Sequence, residues 1–289
     1  MNVKIGCHVS IAGGLWNAPK NAADLGCETF QIFSRSPQGG SVPPITDEVV
    51  QKFKVAMSEV GIADFVIHAP YIINFGSSTP RTFHGSISIV RGELERGSLI
   101  SARYVMFHPG SFKDLGEAEG MKQVVQGLTE VLEGYVGTTQ LLVEISAGAG
   151  QVAGDTFEEL AQMTESLKSH PGFGGICYDT QHAFASGYDI RTKKAAEATF
   201  AAFDNTVGKE YLRMSHVNDS KVEFGAHKDR HEHINDGFIG EKAFEYFLAE
   251  VKRYAKDTDF FPLILETEHD KVKEDLVLLK KLRDKTLKK

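Results

Sequence analysis

The feature that most constrains this chain is the repeated alternation of short apolar runs with longer amphipathic segments along its whole length. This order is typical of a parallel sheet whose strands are joined by helical crossovers. We predict eight strands, at residues 3–9, 29–33, 65–68, 104–108, 141–145, 175–179, 211–216 and 263–266. Helical segments between them include residues 48–60, 121–135, 156–167, 193–204, 241–254 and 273–282.

Eight strands that alternate with helices predict an α/β fold, a closed (β/α)8 TIM barrel. No linker, low-complexity segment or sequence repeat interrupts the series, so we predict a single domain over residues 1–289. The catalytic residues of such barrels come from the C-terminal ends of several strands. The active site is therefore expected at the C-terminal rim of the sheet.

The composition fits a globular protein with a large core, since 42% of the 289 residues are hydrophobic and 25% are charged. A net charge of -7 argues against a generally basic nucleic-acid binder, although bound cations would change the local potential. The three cysteines form no CxxC pair, which favours a reduced, cytoplasmic setting. We expect no membrane span, because no apolar stretch approaches about 18 residues.

Six successive predicted strands end in a histidine or a carboxylate residue, in order His68, His108, Glu144, Asp179, His216 and Glu266. His182 follows Asp179 by one helical turn, and Asp229 and His231 lie in the polar loop after the seventh strand. Imidazoles and carboxylates buried together without a cation would cost several kcal/mol apiece. The pattern therefore predicts a metal centre, although a histidine-rich loop alone could be solvated surface.

These nine candidate ligands, five imidazoles and four carboxylates, are too many for one metal ion. A zinc ion takes three or four protein groups, so the set predicts two or three ions with a carboxylate bridging a pair. Three divalent ions would add +6 to the formal charge of -7 and leave about -1. The rim of an acidic protein could then hold positive potential.

The chain resembles the endonuclease IV family of apurinic/apyrimidinic endonucleases. The shared motifs lie at residues 6–14, 68–71, 107–110, 177–191, 216–221, 229–231 and 262–267, along nearly the whole chain. The resemblance implies a TIM barrel with three Zn²⁺ ions, Mn²⁺ being an alternative for part of them. It implies one ion on His68, His108 and Glu144, a second on Glu144, Asp179, His216 and Glu266, and a third on His182, Asp229 and His231.

The resemblance also implies a reaction, the hydrolysis of the phosphodiester 5′ to an abasic site in duplex DNA. The products would be a 3′-hydroxyl and a 5′-deoxyribose phosphate, and removal of 3′-blocking groups is a possible second activity. Water whose pKa is lowered toward about 7 by metal would attack phosphorus, and Glu144 is the expected catalytic residue that orients it. His8, Asn218 and Ser10 are expected to orient the ligands, and the protein is expected to act as a monomer.

The candidate DNA contacts are Tyr71, Arg35, Gln38, Arg230 and Lys221, with Arg191 as a further phosphate contact. Arg230, Lys221 and Arg191 could equally be solvated surface, and Tyr71 could be a rim residue that packs on Pro70. Residues 34–40 depart from the family pattern, because Gln38 and Gly40 stand where an arginine and a tryptophan are usual. This departure leaves the metal ligands intact and changes the segment that family members present to DNA.

Two other functions remain open from the sequence. A sugar isomerase or epimerase on the same type of barrel needs only about four ligands around one or two metals, so the Asp229 and His231 pair would be superfluous. A metal-dependent binder of damaged DNA without turnover is suggested by the altered segment at residues 34–40. Rossmann and P-loop enzymes are disfavoured, because neither phosphate-binding fingerprint occurs.

Overall fold

The computed structural model describes residues 2–287 and closes eight parallel strands into a barrel. Its first seven strands are β1 (Val3–His8), β2 (Thr29–Ile32), β3 (Val66–His68), β4 (Tyr104–Phe107), β5 (Gln140–Glu144), β6 (Phe173–Asp179) and β7 (Leu212–His216). Two short strands, β8 (Asp219–Ser220) and β9 (His231–Glu232), form a separate antiparallel ribbon, and β10 (Phe261–Leu265) completes the barrel between β7 and β1. The predicted (β/α)8 barrel is confirmed, and every predicted strand end lies within two residues of the observed one.

The helices surround the barrel and connect its strands. They are α1 (Ala18–Leu25), α2 (Asp47–Val60), α3 (Pro80–Ile100), α4 (Glu117–Leu132), α5 (Phe157–Leu167), α6 (Thr180–Ala185), α7 (Lys193–Thr206), α8 (Glu241–Ala255) and α9 (Val272–Leu287). Among residues 2–287, no helix is long and apolar enough to cross a membrane.

Local signals explain most helix boundaries. The Oγ1 of Thr156 accepts the N–H of Glu159 at 3.2 Å, so Thr156 is the cap of α5. The helix predicted at residues 121–135 is displaced toward the C-terminus, because α4 begins at Glu117 and ends at Leu132, and Gly134 follows in the left-handed region. The long helix α3 was not among the segments named from the sequence, because its three internal glycines weaken the helical signal.

The core has two layers that support the rim. The larger layer lies between the sheet and the helices, and the smaller layer fills the inside of the barrel. The inner layer contains Val66, Tyr104, Met106, Leu142, Cys177, Met214, Phe260 and Ile264. The backbones of β1 and β2 approach so closely that a Cβ at Gly6 would lie 1.8 Å from the carbonyl oxygen of Thr29. Side chains at the C-terminal strand ends therefore stand on a packed floor rather than over a pore.

Candidate metal centre

Glu144, the last residue of β5, is fully buried at the centre of the rim. Its Oε2 lies 3.4 Å from Nε2 of His68 and 3.5 Å from Nε2 of His108. Its Oε1 lies 2.7 Å from Nδ1 of His216 and 3.3 Å from Nδ1 of His182. The buried Oε2 has no hydrogen-bond donor, a costly condition that a cation shared with His68 and His108 would relieve. The residues therefore fit a divalent metal.

A second group of ligand atoms adjoins the first and shares Glu144 with it. Nδ1 of His216 lies 3.3 Å from Oε2 of Glu266 and 3.9 Å from Oδ2 of Asp179. One ligand atom from each of Glu144, Asp179, His216 and Glu266 lies within 4.8 Å of the others, so a single ion could contact all four. This is the set that the family resemblance implies for a second ion.

A third group lies at the solvent side of the rim. Nε2 of His182 is 3.3 Å from Nε2 of His231 and 3.3 Å from Oδ1 of Asp229. The same Asp229 oxygen is 3.5 Å from Nε2 of His231. Oδ2 of Asp179 also approaches Nε2 of His231, at 3.6 Å, and thus stands between the second and third groups. The sequence did not indicate this intermediate position of Asp179.

Hydrogen bonds to the protein hold several ligands in a fixed orientation. Nδ1 of His68 donates to the carbonyl of Ala69 at 2.6 Å, which leaves its Nε2 lone pair for a cation. Nδ2 of Asn218 donates to Oδ2 of Asp179 at 2.8 Å, and its Oδ1 accepts the N–H of Glu266 at 2.8 Å. The structure thus places Asn218 where an orienting residue is expected. The Ser10 hydroxyl instead accepts the N–H of Ala12 inside its own loop.

Two side chains that contact the ligands were not identified from the sequence. Gln31 is fully buried in β2, and its amide lies between His216 and Glu266. The Sγ of Cys177 lies 3.7 Å from Nδ1 of His216. The sequence could have indicated Gln31, because an amide side chain inside an otherwise apolar strand needs buried hydrogen-bond partners. The predicted His8 reaches the site through the same residue, since its Nδ1 lies 3.2 Å from Nε2 of Gln31.

The electrostatics of the cluster demand positive charge. Burial disfavours the charged form of Glu144, but the nearby His108 and His216 outweigh it and hold its pKa well below the usual range. Burial lowers the pKa of His108 to about 4, which favours the neutral form that a metal ligand needs. Burial also opposes the charged form of His182, yet Asp179 and Asp229 raise its pKa well above the usual value.

Two cavities open on the rim, one on each side of Tyr71. The first, of about 370 Å³, is lined by His108, His182 and Asp229 among others. The second, of about 260 Å³, adjoins Glu266 and is lined in part by His8 and His231. Tyr71 lines both and is 66% exposed, while its ring lies 5.3 Å from that of Phe33. Tyr71 therefore separates two cavities that are both lined by proposed metal ligands.

The other candidate DNA contacts differ in their exposure. Gln38, Lys221 and Arg230 are exposed on the rim loops. Arg35 is turned inward, with a side chain only 12% exposed and its Nε 4.0 Å from Oε1 of Glu93. Arg191 is exposed but bound to Asp189 through two hydrogen bonds from its guanidinium. Arg35 and Arg191 would have to leave these carboxylates to contact a phosphate.

The loop that contains residues 34–40 is fixed at both ends by Arg96 of α3. Its Nη2 donates to the carbonyl of Ser34 at 2.6 Å, and its Nη1 donates to the carbonyl of Pro43 at 2.7 Å. Nε of Arg96 also donates to Oγ of Ser34, which in turn donates to Glu93. The backbone N–H of Tyr71 donates to the carbonyl of Pro37 at 3.1 Å, so this loop adjoins the tyrosine between the cavities.

Comparison with known proteins identifies relatives of this chain. A family model described as xylose isomerase-like TIM barrel matches residues 19–283. A protein of Methanoculleus marisnigri named probable endonuclease 4 is 36% identical over 285 residues, which cover 98% of each chain. The crystal structure of endonuclease IV from Thermus thermophilus superposes with a TM-score of 0.79 and 30% identity over 99% of each chain. A D-tagatose 3-epimerase-like protein, with a TM-score of 0.73 but 19% identity over 99% of this chain and 97% of that one, shares the fold alone.

Proposed function

The chain belongs to the endonuclease 4 family of xylose isomerase-like TIM barrels, and on that basis we propose that it is a metal-dependent apurinic/apyrimidinic endonuclease of DNA repair. Its substrate would be duplex DNA with an abasic site, cut on the 5′ side to leave a 3′-hydroxyl and a 5′-deoxyribose phosphate. The observation that carries the proposal is the buried Glu144 carboxylate, which faces four imidazoles and has one oxygen without a donor.

We propose that this centre holds three zinc ions, with manganese able to replace part of them. His68, His108 and Glu144 would hold the first ion, and Glu144, Asp179, His216 and Glu266 the second. His182, Asp229 and His231 would hold the third, with Asp179 close to it. When bound, the ions would lower the pKa of water toward about 7 and neutralise the charge that develops on the phosphate.

The residues of the chain would bind and orient the substrate around these ligands. Glu144 is the proposed catalytic residue, since a carboxylate in contact with two ligand groups can hold the attacking water in place. The first cavity, of about 370 Å³, is small for a ligand site, which ordinarily spans about 300–1,000 Å³. It suits an extruded sugar without a base, and an abasic nucleotide costs the least energy to extrude. Tyr71 would cover the sugar from the rim.

The third ligand group favours the nuclease over an epimerase. Epimerase chemistry on this fold needs about four ligands, and Asp229 and His231 lie beyond that set. In the structure, Oδ1 of Asp229 and Nε2 of His231 each lie 3.3 Å from Nε2 of His182, so these additional residues lie together as a third group. The turnover-deficient binder is disfavoured by the same fact, because all nine proposed ligands are brought together.

We further propose that the protein acts as a monomer, as one domain over residues 1–289, in the cytoplasm. Cys7, Cys27 and Cys177 are free thiols, as a reducing compartment would keep them. The exposed Lys221 and Arg230 remain the proposed phosphate contacts and Gln38 a proposed DNA contact, and Arg35 would join them only after leaving Glu93. If several such contacts form, binding should weaken steeply as the salt concentration rises.

The test is cleavage of a duplex that contains one synthetic abasic site, combined with elemental analysis of the same preparation. We expect a single cut on the 5′ side that tracks about three bound ions and is lost after prolonged chelation. A full metal complement without any cut would reject the endonuclease. One ion per chain together with epimerisation of a ketose would support the epimerase instead.

A further inference from the structure

Gln31 connects two proposed ligands of the second ion from inside the barrel. Its Oε1 lies 2.7 Å from Nε2 of His216, and its Nε2 lies 2.6 Å from Oε1 of Glu266. The same Nε2 is 3.2 Å from Nδ1 of His8, and the side chain of Gln31 is fully buried. Every polar atom of the amide therefore has a partner in the site.

With a metal ion bound to His216, the chemistry of these partners allows only one arrangement of hydrogens. An ionised carboxylate can only accept hydrogen bonds, so the amide nitrogen of Gln31 must face Glu266. The amide oxygen then faces Nε2 of His216, which must carry a hydrogen to donate to it. An imidazole that binds a metal ion is neutral and has one N–H, so the lone pair that His216 offers to the ion lies on Nδ1. That nitrogen faces Glu144 at 2.7 Å and Glu266 at 3.3 Å, where the second ion is proposed.

We infer that Gln31 is a positioning residue for the second metal ion. It fixes the tautomer and the ring plane of His216, and it directs one oxygen of Glu266 away from the ion while Oε2 faces His216. Nδ1 of His8 lies 3.2 Å from the amide nitrogen of Gln31, where it accepts the remaining amide hydrogen and stops the amide from flipping. This inference rests on the metal centre of the proposed function. It adds a role for β2, which contributes no predicted ligand.

The first test compares Gln31→Met with a matched control, Gln123→Met. Methionine keeps the length of the side chain and removes its hydrogen bonds. Nε2 of Gln123 donates to the carbonyls of Phe75 and Ser77, both at 2.7 Å, and these residues are not proposed ligands. Zinc affinity is measured by competition with a chromogenic chelator, and the metal-free unfolding temperature of each variant is recorded.

We expect one of the three ions to bind roughly 10- to 100-fold more weakly in Gln31→Met, since loss of an orienting partner typically has that effect. The control should bind all ions as the wild type does, even if its unfolding temperature falls by a similar amount. Unchanged zinc affinity in Gln31→Met would overturn the inference. Zinc affinity is measured without DNA, so the inference and the proposed function can fail separately. Wild-type protein that binds three ions but does not cut abasic DNA would reject the proposed function and leave the inference intact.

A second measurement needs no Gln31 variant and thus holds even if Gln31→Met does not fold. In zinc-loaded wild-type protein labelled with ¹⁵N histidine, the ring hydrogen of His216 is assigned by NMR, with His216→Asn identifying the signal. The inference requires a slowly exchanging hydrogen on Nε2 and metal on Nδ1. A hydrogen on Nδ1 with metal on Nε2 would show that Gln31 does not set the tautomer.

Discussion

Replacement of Glu144 by glutamine should remove two metal ions at once. The amide has the volume of the carboxylate, but it carries no charge and one of its oxygens becomes an NH₂ group. Either orientation sets that NH₂ against a pair of imidazoles, because Oε1 faces His182 and His216 and Oε2 faces His68 and His108. The substitution therefore damages the first and second ligand groups together and leaves the packing volume intact.

The size of the effect follows from the number of ligands in each group. A structural zinc site binds with about 10–16 kcal/mol, so one ligand in four accounts for roughly 2.5–4 kcal/mol. Since about 1.4 kcal/mol is a factor of ten, each of the two sites should weaken by ~10²- to 10³-fold. The first group has only three proposed ligands, so its loss should be the larger.

The assay measures bound metal by elemental analysis at buffered free zinc, and incision of an abasic duplex on the same samples. Glu144→Gln should retain about one ion, on His182, Asp229 and His231, and should lose incision. The control is Glu159→Gln, the same substitution at a buried carboxyl group outside the cluster, which should retain three ions. If Glu144→Gln keeps three ions and cuts at a rate near that of the wild type, the reasoning about this residue is wrong.

Three further results are expected. His231→Asn should lose the third ion alone, so elemental analysis should find about two ions per chain; loss of all three would show that the groups are not separable. Burial raises the pKa of Glu159 from 4.5 to about 7. Between these pH values the native protein keeps a proton on Glu159 that the unfolded chain releases. The free energy of unfolding therefore falls as the pH rises through this window. Glu159→Gln should therefore be more stable than wild type at pH 8 by up to roughly 3 kcal/mol, with no gain at pH 4 in urea titrations. Arg96→Gln should free the loop between Ser34 and Pro43, raise KM for abasic DNA and leave kcat nearly unchanged. A fall in kcat as large as the rise in KM would instead place that loop in the chemical step.

The strands and most of the site could be predicted because both depend on local patterns. Each barrel strand is a short apolar run, and His68, Glu144, Asp179 and His216 are strand-end residues in the structure as in the prediction. The missed α3 shows the limit of local patterns, since its glycines act against a helix that packing stabilises. Gln31 shows another limit. Its partners His216 and Glu266 are far away in sequence, so only the closed barrel brings them within hydrogen-bond distance.

The central position of Glu144 depends on the register of neighbouring strands, which no local pattern encodes. Asp179 is paired with His216, so these two residues lie at the same level of the rim. Glu144 is paired with Cys177, two residues before Asp179, and therefore lies about two residues deeper in the barrel. From that depth its two oxygens can face imidazoles of the strands on both sides. A slip of one residue between β5 and β6 would turn Glu144 to the other face of the sheet, toward the helices. The register of β5 and β6 is thus as necessary to the metal centre as the ligands themselves.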